Sequence, residues 1–333
     1  MKEIFTLFLC FLFNISIAQI TDFKNIDFTR ADNIAKLNQG AKLNNLPLLG
    51  YQLTSKLPTK VEQFRAIYTW VCLNIKGDSR QQNKITSARK KMKNDSLALV
   101  NWNTKYKKKA FKKLLKSNKT MCTGYAYLIK ELAFLADIEC RIIDGYGRTV
   151  YSNIDSLQNA NHSWNAVKLN NKWYLCDATW SSGYLDENFN FITSYNDGYF
   201  LADPVMFAAN HFPIQQKWLL NEVTTKSTFT ESPLVYGEVF KYKIASLYPS
   251  KMNMEVQKDK ETKFSFRSFK NVPLNEISLI VYLGSKEYAF KIYNIQTKNG
   301  IISFKNKFHW KGFYDVHLKI KDDVVATYSI NVI

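Results

Sequence analysis

The sequence predicts a helical region that runs into paired strands, followed by a C-terminal immunoglobulin-like β-sandwich. Three observations point there. Apolar residues recur at helical spacing through residues 59–75, 105–119 and the stretch after Cys122. Two strand-like runs face each other across Asn170-Asn171. From Glu222 onward, roughly seven short alternating runs, among them residues 239–244, punctuated by Ser232-Pro233 and Tyr248-Pro249, suit a two-sheet sandwich. The 333 residues are 46% hydrophobic and 15% aromatic with 12 Gly and 7 Pro, which excludes collagen-like and disordered classes. Length favours two domains over one.

The chain opens with Lys2 and Glu3, an apolar run from Ile4 to Phe13 and the small residues Ser16 and Ala18, the pattern of a cleaved signal peptide over residues 1–18. Cys10 lies inside the apolar run behind Leu9, which argues against lipid attachment. No later stretch reaches the roughly 18 apolar residues of a spanning helix, so a secreted or periplasmic protein without a transmembrane helix in its mature chain is expected. Residues 19–58 read as a helical lead-in with mixed loops. In the helix of residues 59–75, Val61, Phe64, Ile67, Tyr68, Val71 and Cys72 form the one face expected to pack.

Net charge is +18, from 46 Lys and Arg against 28 Asp and Glu. It is unevenly spread: residues 60–120 hold 17 basic and 3 acidic residues. The plain reading is a solvated helix face around the stripe Tyr106, Ala110, Phe111, Leu114 and Leu115. The other is contact with an anionic envelope, a glycan or an acidic substrate. Export alone does not turn the four remaining cysteines into disulfides. Cys72, Cys140 and Cys176 sit in apolar runs and read as buried thiols, with one bridge among them as the alternative.

Cys122 has different neighbours. The helical spacing of Tyr125, Ala126, Leu128, Ile129, Leu132 and Ala133, with Thr120 as the expected cap, puts its thiol in a first helical turn, where free N–H groups and the helix dipole favour thiolate. If Leu169 pairs with Lys172 in the hairpin, Trp164 opposes Asp177 and His162 opposes Thr179. His162 and Asp177 are then diagonal neighbours about 7–8 Å apart by backbone on one face, and a slip of one residue would separate them. A thiol, an imidazole and a carboxylate so placed fit acyl transfer: Cys122 attacks, His162 relays the proton and Asp177 orients His162. The Cys122 N–H would hold the oxyanion, with a second donor left open among Gln81, Gln82 and Trp102.

Around these residues the chain resembles the transglutaminase-like superfamily. The motifs are Met121-Cys122-Thr123-Gly124-Tyr125-Ala126, Asn161-His162-Ser163-Trp164-Asn165-Ala166-Val167 and Trp173-Tyr174-Leu175-Cys176-Asp177-Ala178-Thr179-Trp180. Tyr199-Phe200-Leu201-Ala202-Asp203-Pro204, His211-Phe212-Pro213 and Trp218-Leu219-Leu220 are similar to the branch containing the kyphoscoliosis peptidase and fungal cytokinesis proteins. The resemblance implies an α+β chain with a papain-like, transglutaminase-like core over residues 59–222, followed by the immunoglobulin-like β-sandwich of residues 223–333. It implies peptidase, amidase or transglutaminase chemistry on protein or peptide amides through Cys122, His162 and Asp177. Some members of this branch act as scaffolds after losing triad residues. A non-catalytic binding protein using the same fold and the basic face is therefore the second class.

Other chemistry finds little support. His211 has no acidic or thiol partner nearby in sequence and reads as structural, as do His309 and His317. Asp186 to Asn190 offers oxygen ligands, but Phe191 stands where a calcium loop needs Gly. Zinc-binding CxxC pairs, HExxH and a phosphate-binding loop are missing, so no cofactor is expected. The export signal and the lack of a recognised motif set nucleic acid aside as a partner.

Overall fold

The computed structural model describes residues 20–333 except 93, 151, 153–156, 158–159 and 187. The signal-peptide reading of residues 1–18 lies outside the described residues. The lead-in forms α1 (Thr29–Leu37) and α2 (Leu46–Thr54), which pack on α3 (Lys60–Asn74). Thr59 caps α3 in a capping box: it accepts the Glu62 N–H, while the Glu62 carboxylate reaches back to the Thr59 N–H. The expectation that α3 buries one face falls short. Ala66, Thr69 and Trp70 are buried as well, because α1 and α2 cover the side turned away from the following helices. Trp70 donates to the Asn38 carbonyl at 2.7 Å.

The short β1 (Lys76–Gly77) leads into α4 (Ser79–Lys91) and α5 (Ser96–Ser117), which begins earlier than the periodicity of residues 105–119 suggested. β2 (Lys119–Thr120) returns parallel to β1 and delivers α6 (Cys122–Leu135). Thr120 is not the cap of α6. Met121 is, without a side-chain hydrogen bond, while Thr120 is buried and donates to Gln81 Oε1 at 3.1 Å. Gly124 is required by this close approach, since a Cβ there would lie 1.9 Å from Thr120 Oγ1.

Next come β3 (Cys140–Gly147), β4 (His162–Leu169), β5 (Lys172–Cys176), α7 (Ala178–Ser182), β6 (Gly183–Leu185), β7 (Phe191–Thr193), α8 (Pro204–Phe207) and β8 (His211–Pro213). β5, β4, β3 and β8 make one antiparallel sheet in that order. The hairpin register is the expected one: Leu169 pairs with Lys172 and Asn165 with Cys176. Asn170 and Asn171, at φ 47° and 62°, make the tight turn that sets it.

The C-terminal part holds α9 (Lys226–Glu231), β9 (Leu234–Val235), α10 (Glu238–Tyr242), β10 (Ile244–Tyr248), β11 (Asn253–Val256), β12 (Glu261–Ser268), β13 (Ile277–Leu283), β14 (Lys286–Phe290), β15 (Ile292–Lys298), β16 (Ile301–Lys307), β17 (Gly312–Ile320) and β18 (Asp323–Val332). Residues 239–244, expected as a strand, mostly form α10. Val239, Phe240 and Tyr242 are all buried, and the left-handed Lys243 at φ 51° ends the turn before β10 begins. One sheet runs β10-β12-β16-β15, the other β11-β18-β17-β13-β14 with β9 on β18; β11 lies parallel to β18. The sheets meet at Phe264, whose ring is 5.4 Å from both Phe304 and Tyr328. This core is continuous with Trp164, Tyr199, Met206 and Phe207 of the preceding part.

One buried cation ties the lead-in to the rest. Arg65 of α3 grips Asp32 of α1 through Nε at 2.7 Å and Nη2 at 3.0 Å, pairs with Asp197, and lies over the Phe200 ring. Asp32→Ala leaves that guanidinium with Asp197 alone and two of its N–H groups unpaired, so unfolding free energy should fall by about 2 kcal/mol, read as a lower urea midpoint at unchanged slope.

Candidate active site

Cys122 is the first residue of α6 and is buried at 5% exposure. The helix is fixed against the strand that carries His162 by Asn165, which donates to the Ala126 carbonyl of α6 at 2.9 Å. Thr123 and Ser163 add a hydroxyl contact at 3.3 Å. His162 opens β4, and its ring stacks on Trp180 at 4.5 Å. Its Nε2 lies 2.7 Å from Asp177 Oδ2, which leaves Nδ1 as the nitrogen for Cys122. The structure thus brings together all three residues expected of the site.

Asp177 follows β5 and caps α7. Its Oδ1 accepts the N–H groups of Thr179 and Trp180 at 2.8 and 3.3 Å. Oδ2 takes a second imidazole besides His162: His211 Nε2, at 3.1 Å. His211, with no acidic partner nearby in sequence, finds one in the fold. The partner is Asp177, 34 residues away, brought close because β8 and β4 flank β3. A histidine at matching strand parity, in Tyr199 to Pro213, was the signal available. The structure also separates the three open candidates for an oxyanion donor. Gln81 is buried with Oε1 on the Met121 N–H at 2.8 Å, whereas Trp102 stacks on Tyr106 and Gln82 lies one position further along α4.

The electrostatics single out one thiol. Burial pushes Cys122 up, but the hydrogen bond and charge of His162, with Arg89, outweigh it and its pKa is lowered. Burial disfavours the imidazolium of His162, yet the charge and hydrogen bond of Asp177 and contact with Cys122 raise it. Asp177 would be raised by burial, but its His162 and His211 partners hold it below the usual carboxylate range. Cys72, Cys140 and Cys176 are raised by burial, Cys140 to about 12. These three and Cys122 are all free thiols, so the alternative of one disulfide is not realised.

Nitrogen and oxygen atoms of His162, Asp177 and His211 lie within 4.8 Å of one another, the spacing of a three-ligand metal site. A cation there would displace the N–H protons that both rings present to Asp177. Asp186, considered for calcium, accepts the N–H groups of Asn188 and Asn190 at 2.9 and 2.7 Å and so closes the β6–β7 turn. Among the described residues, no helix is long and apolar enough to cross a membrane.

A buried thiol at a helix start, with imidazole and carboxylate on an adjoining sheet, is the architecture of papain-like and transglutaminase-like proteins. Residues 49–178 match the Transglutaminase-like superfamily, and the chain belongs to it, on the kyphoscoliosis-peptidase branch. It is 34% identical over 175 residues to the kyphoscoliosis peptidase of Homo sapiens, covering 50% of this chain and 23% of that protein. The Mus musculus kyphoscoliosis peptidase is 30% identical over 223 residues, covering 65% and 30%. Hillarin of Drosophila melanogaster is 24% identical over 232 residues, covering 65% and 26%. The chain spans between a quarter and a third of the length of these relatives, or slightly less.

The lowered Cys122 thiol has a direct readout. Thiolate reacts and thiol does not, so iodoacetamide should label Cys122 rapidly near neutral pH while Cys72, Cys140 and Cys176 stay unlabelled in the folded protein. His162→Ala removes the main group that lowers it, leaving Arg89 alone against burial. The labelling midpoint should then move to higher pH, measured by intact mass across a pH series.

Proposed function

We propose that this chain is an exported cysteine acyl-transfer enzyme acting on protein or peptide amides. The observation that carries the reading is the buried line from Cys122 through His162 to an ionised Asp177. His162 Nδ1 already holds the Cys122 proton, and the resulting thiolate Sγ attacks the amide carbonyl carbon. The tetrahedral intermediate collapses when His162 returns that proton to the leaving nitrogen, releasing the amine and leaving a thioester. Water then yields an acid, or a second amine an exchanged amide, with His162 again the base. Asp177 keeps the tautomer and stabilises the imidazolium.

Gln81 is the side chain we assign to the oxyanion alongside the Cys122 N–H. Its Oε1 is anchored by the Thr120 hydroxyl and the Met121 N–H, and its amide nitrogen, which meets the Tyr106 hydroxyl, is the donor that would turn to the oxyanion. The basic helices α4 and α5 belong to the same reading. Arg89 acts on Cys122, and Lys113 binds the α4 cap Asp78, so the cationic face adjoins the cleft and favours acidic substrates. The C-terminal strand orders, β10-β12-β16-β15 and β18-β17-β13-β14, support an immunoglobulin-like sandwich because they follow the A-B-E-D and G-F-C-C′ arrangement. Export rests on the sequence of residues 1–18.

Turnover of a peptide library with and without added amines tests this reading. Cys122→Ala, His162→Ala and Asp177→Asn should each abolish both hydrolysis and amine incorporation, and wild-type inactivity in a folded, reduced protein would favour the scaffold class. Gln81→Ala should lower kcat about 100-fold.

The charge claim has its own measurement. Lys108→Glu with Lys112→Glu, exposed on α5, should raise KM for an acidic peptide several-fold at low salt with kcat unchanged. The difference should fade as ionic strength approaches about 1 M.

A further inference from the structure

Nothing in the chemistry above uses His211, yet it is a fully buried imidazole on the reacting line. β3 places it there: Gly145 pairs with His162 on one side and Gly147 with His211 on the other, so both rings project from the same face. Gly147 keeps the space between them open, since a Cβ would come within 3.0 Å of His162 Cβ and Trp180. The His211 ring lies in an aromatic slot, 3.8 Å from Phe207 and 4.4 Å from Trp180, with Trp164 edge-on at 5.0 Å.

We propose that His211 is a positioning residue: its Nε2–H bonds the same Asp177 oxygen as His162, fixing that carboxylate and moderating how strongly it draws on the His162 proton. The proposal rests on the acyl-transfer reading of Cys122. An ionised carboxylate offers only lone pairs, so the nitrogen facing it must carry hydrogen. Burial pushes the second protonation of His211 down to about 4, so at neutral pH the ring carries one proton, on Nε2. Nδ1 lies 2.7 Å from Asn210 Oδ1 and also meets the Phe207 carbonyl; a half-turn of the Asn210 amide puts its NH2 on the Nδ1 lone pair, and the Phe207 carbonyl is the competing acceptor that would hold the other tautomer. The result is a chain from Asn210 through His211, Asp177 and His162 to Cys122.

The titratable groups facing this chain are few. Cys72 and Cys176 approach Asp177 and are held protonated by burial; Tyr199 faces His211 and is likewise raised; Arg89 acts on Cys122. Because Oδ2 divides its acceptance between two donors, removing one strengthens the other. His211→Phe keeps the ring in its slot without the N–H. The imidazolium of His162 gains, and the Cys122 labelling midpoint should move about one pH unit lower. The carboxylate is also released from its second tether, so turnover should fall roughly ten-fold or more.

His211→Gln, which carries an N–H donor near the Nε2 position, should restore the midpoint and most of the rate. A folded His211→Phe protein with the wild-type labelling profile overturns the proposal, as does His211→Gln behaving like His211→Phe. Nitrogen NMR of the wild-type protein gives a readout that needs no activity. The His211 ring should stay in the Nε2–H form between about pH 5 and pH 8, and an Nδ1–H tautomer would refute the contact. Failure of Cys122 to label in wild type, with the His211 tautomer as stated, would instead remove the acyl-transfer reading and leave the His211–Asp177 bond standing.

Discussion

The carboxylate of Asp177 is where the architecture closes. One oxygen ends the hairpin by capping α7, the other gathers β4 and β8 through their histidines. The same residue's carbonyl accepts the Tyr68 hydroxyl from α3 at 2.9 Å, and its N–H reaches the Tyr199 carbonyl. A charge at 1% exposure is tolerated only when every lone pair is engaged, and here four N–H donors engage it. Helix, sheet and the loop before α8 therefore converge on one ion, and its burial is what makes the neighbouring imidazole a strong base.

That convergence explains the contrast among the cysteines. All four described cysteines are buried, so desolvation acts on each in the same direction. Only Cys122 has an imidazolium partner and a helix start beneath it, and only there does the thiolate win. Cys72 lies close enough to Asp177 to feel its charge, which works against ionisation. Position relative to a single carboxylate divides inert packing groups from a thiol held toward its thiolate.

Much of this was legible in the residues because the determinants are local. Helical spacing after Cys122, two adjacent asparagines able to adopt left-handed φ, and the alternation of the hairpin fixed the register that joins His162 to Asp177. The apolar spacing from Val61 to Cys72 marked α3 in the same way. What escaped depends on tertiary contact. Thr120 has the chemistry of a cap, but β1 and Gln81 claim it. Val239 and Phe240 alternate like a strand, yet burying adjacent side chains against Tyr199 and the sheets is a helical solution. His211 found its acid across a strand order that no short window of sequence contains.

The aromatic seam across residue 222 has a historical consequence. Phe240 of α10 stacks on Tyr199 at 4.0 Å and lies edge-on to Phe207, whose ring covers His211. A gene fusion that swapped the C-terminal sandwich for another module would have to replace those rings by equivalents or leave the back of the His162–Asp177–His211 cluster open to water. Recombination can add freely outside the pair, but between its halves it meets a shared wall, so the two should travel through lineages as one heritable block.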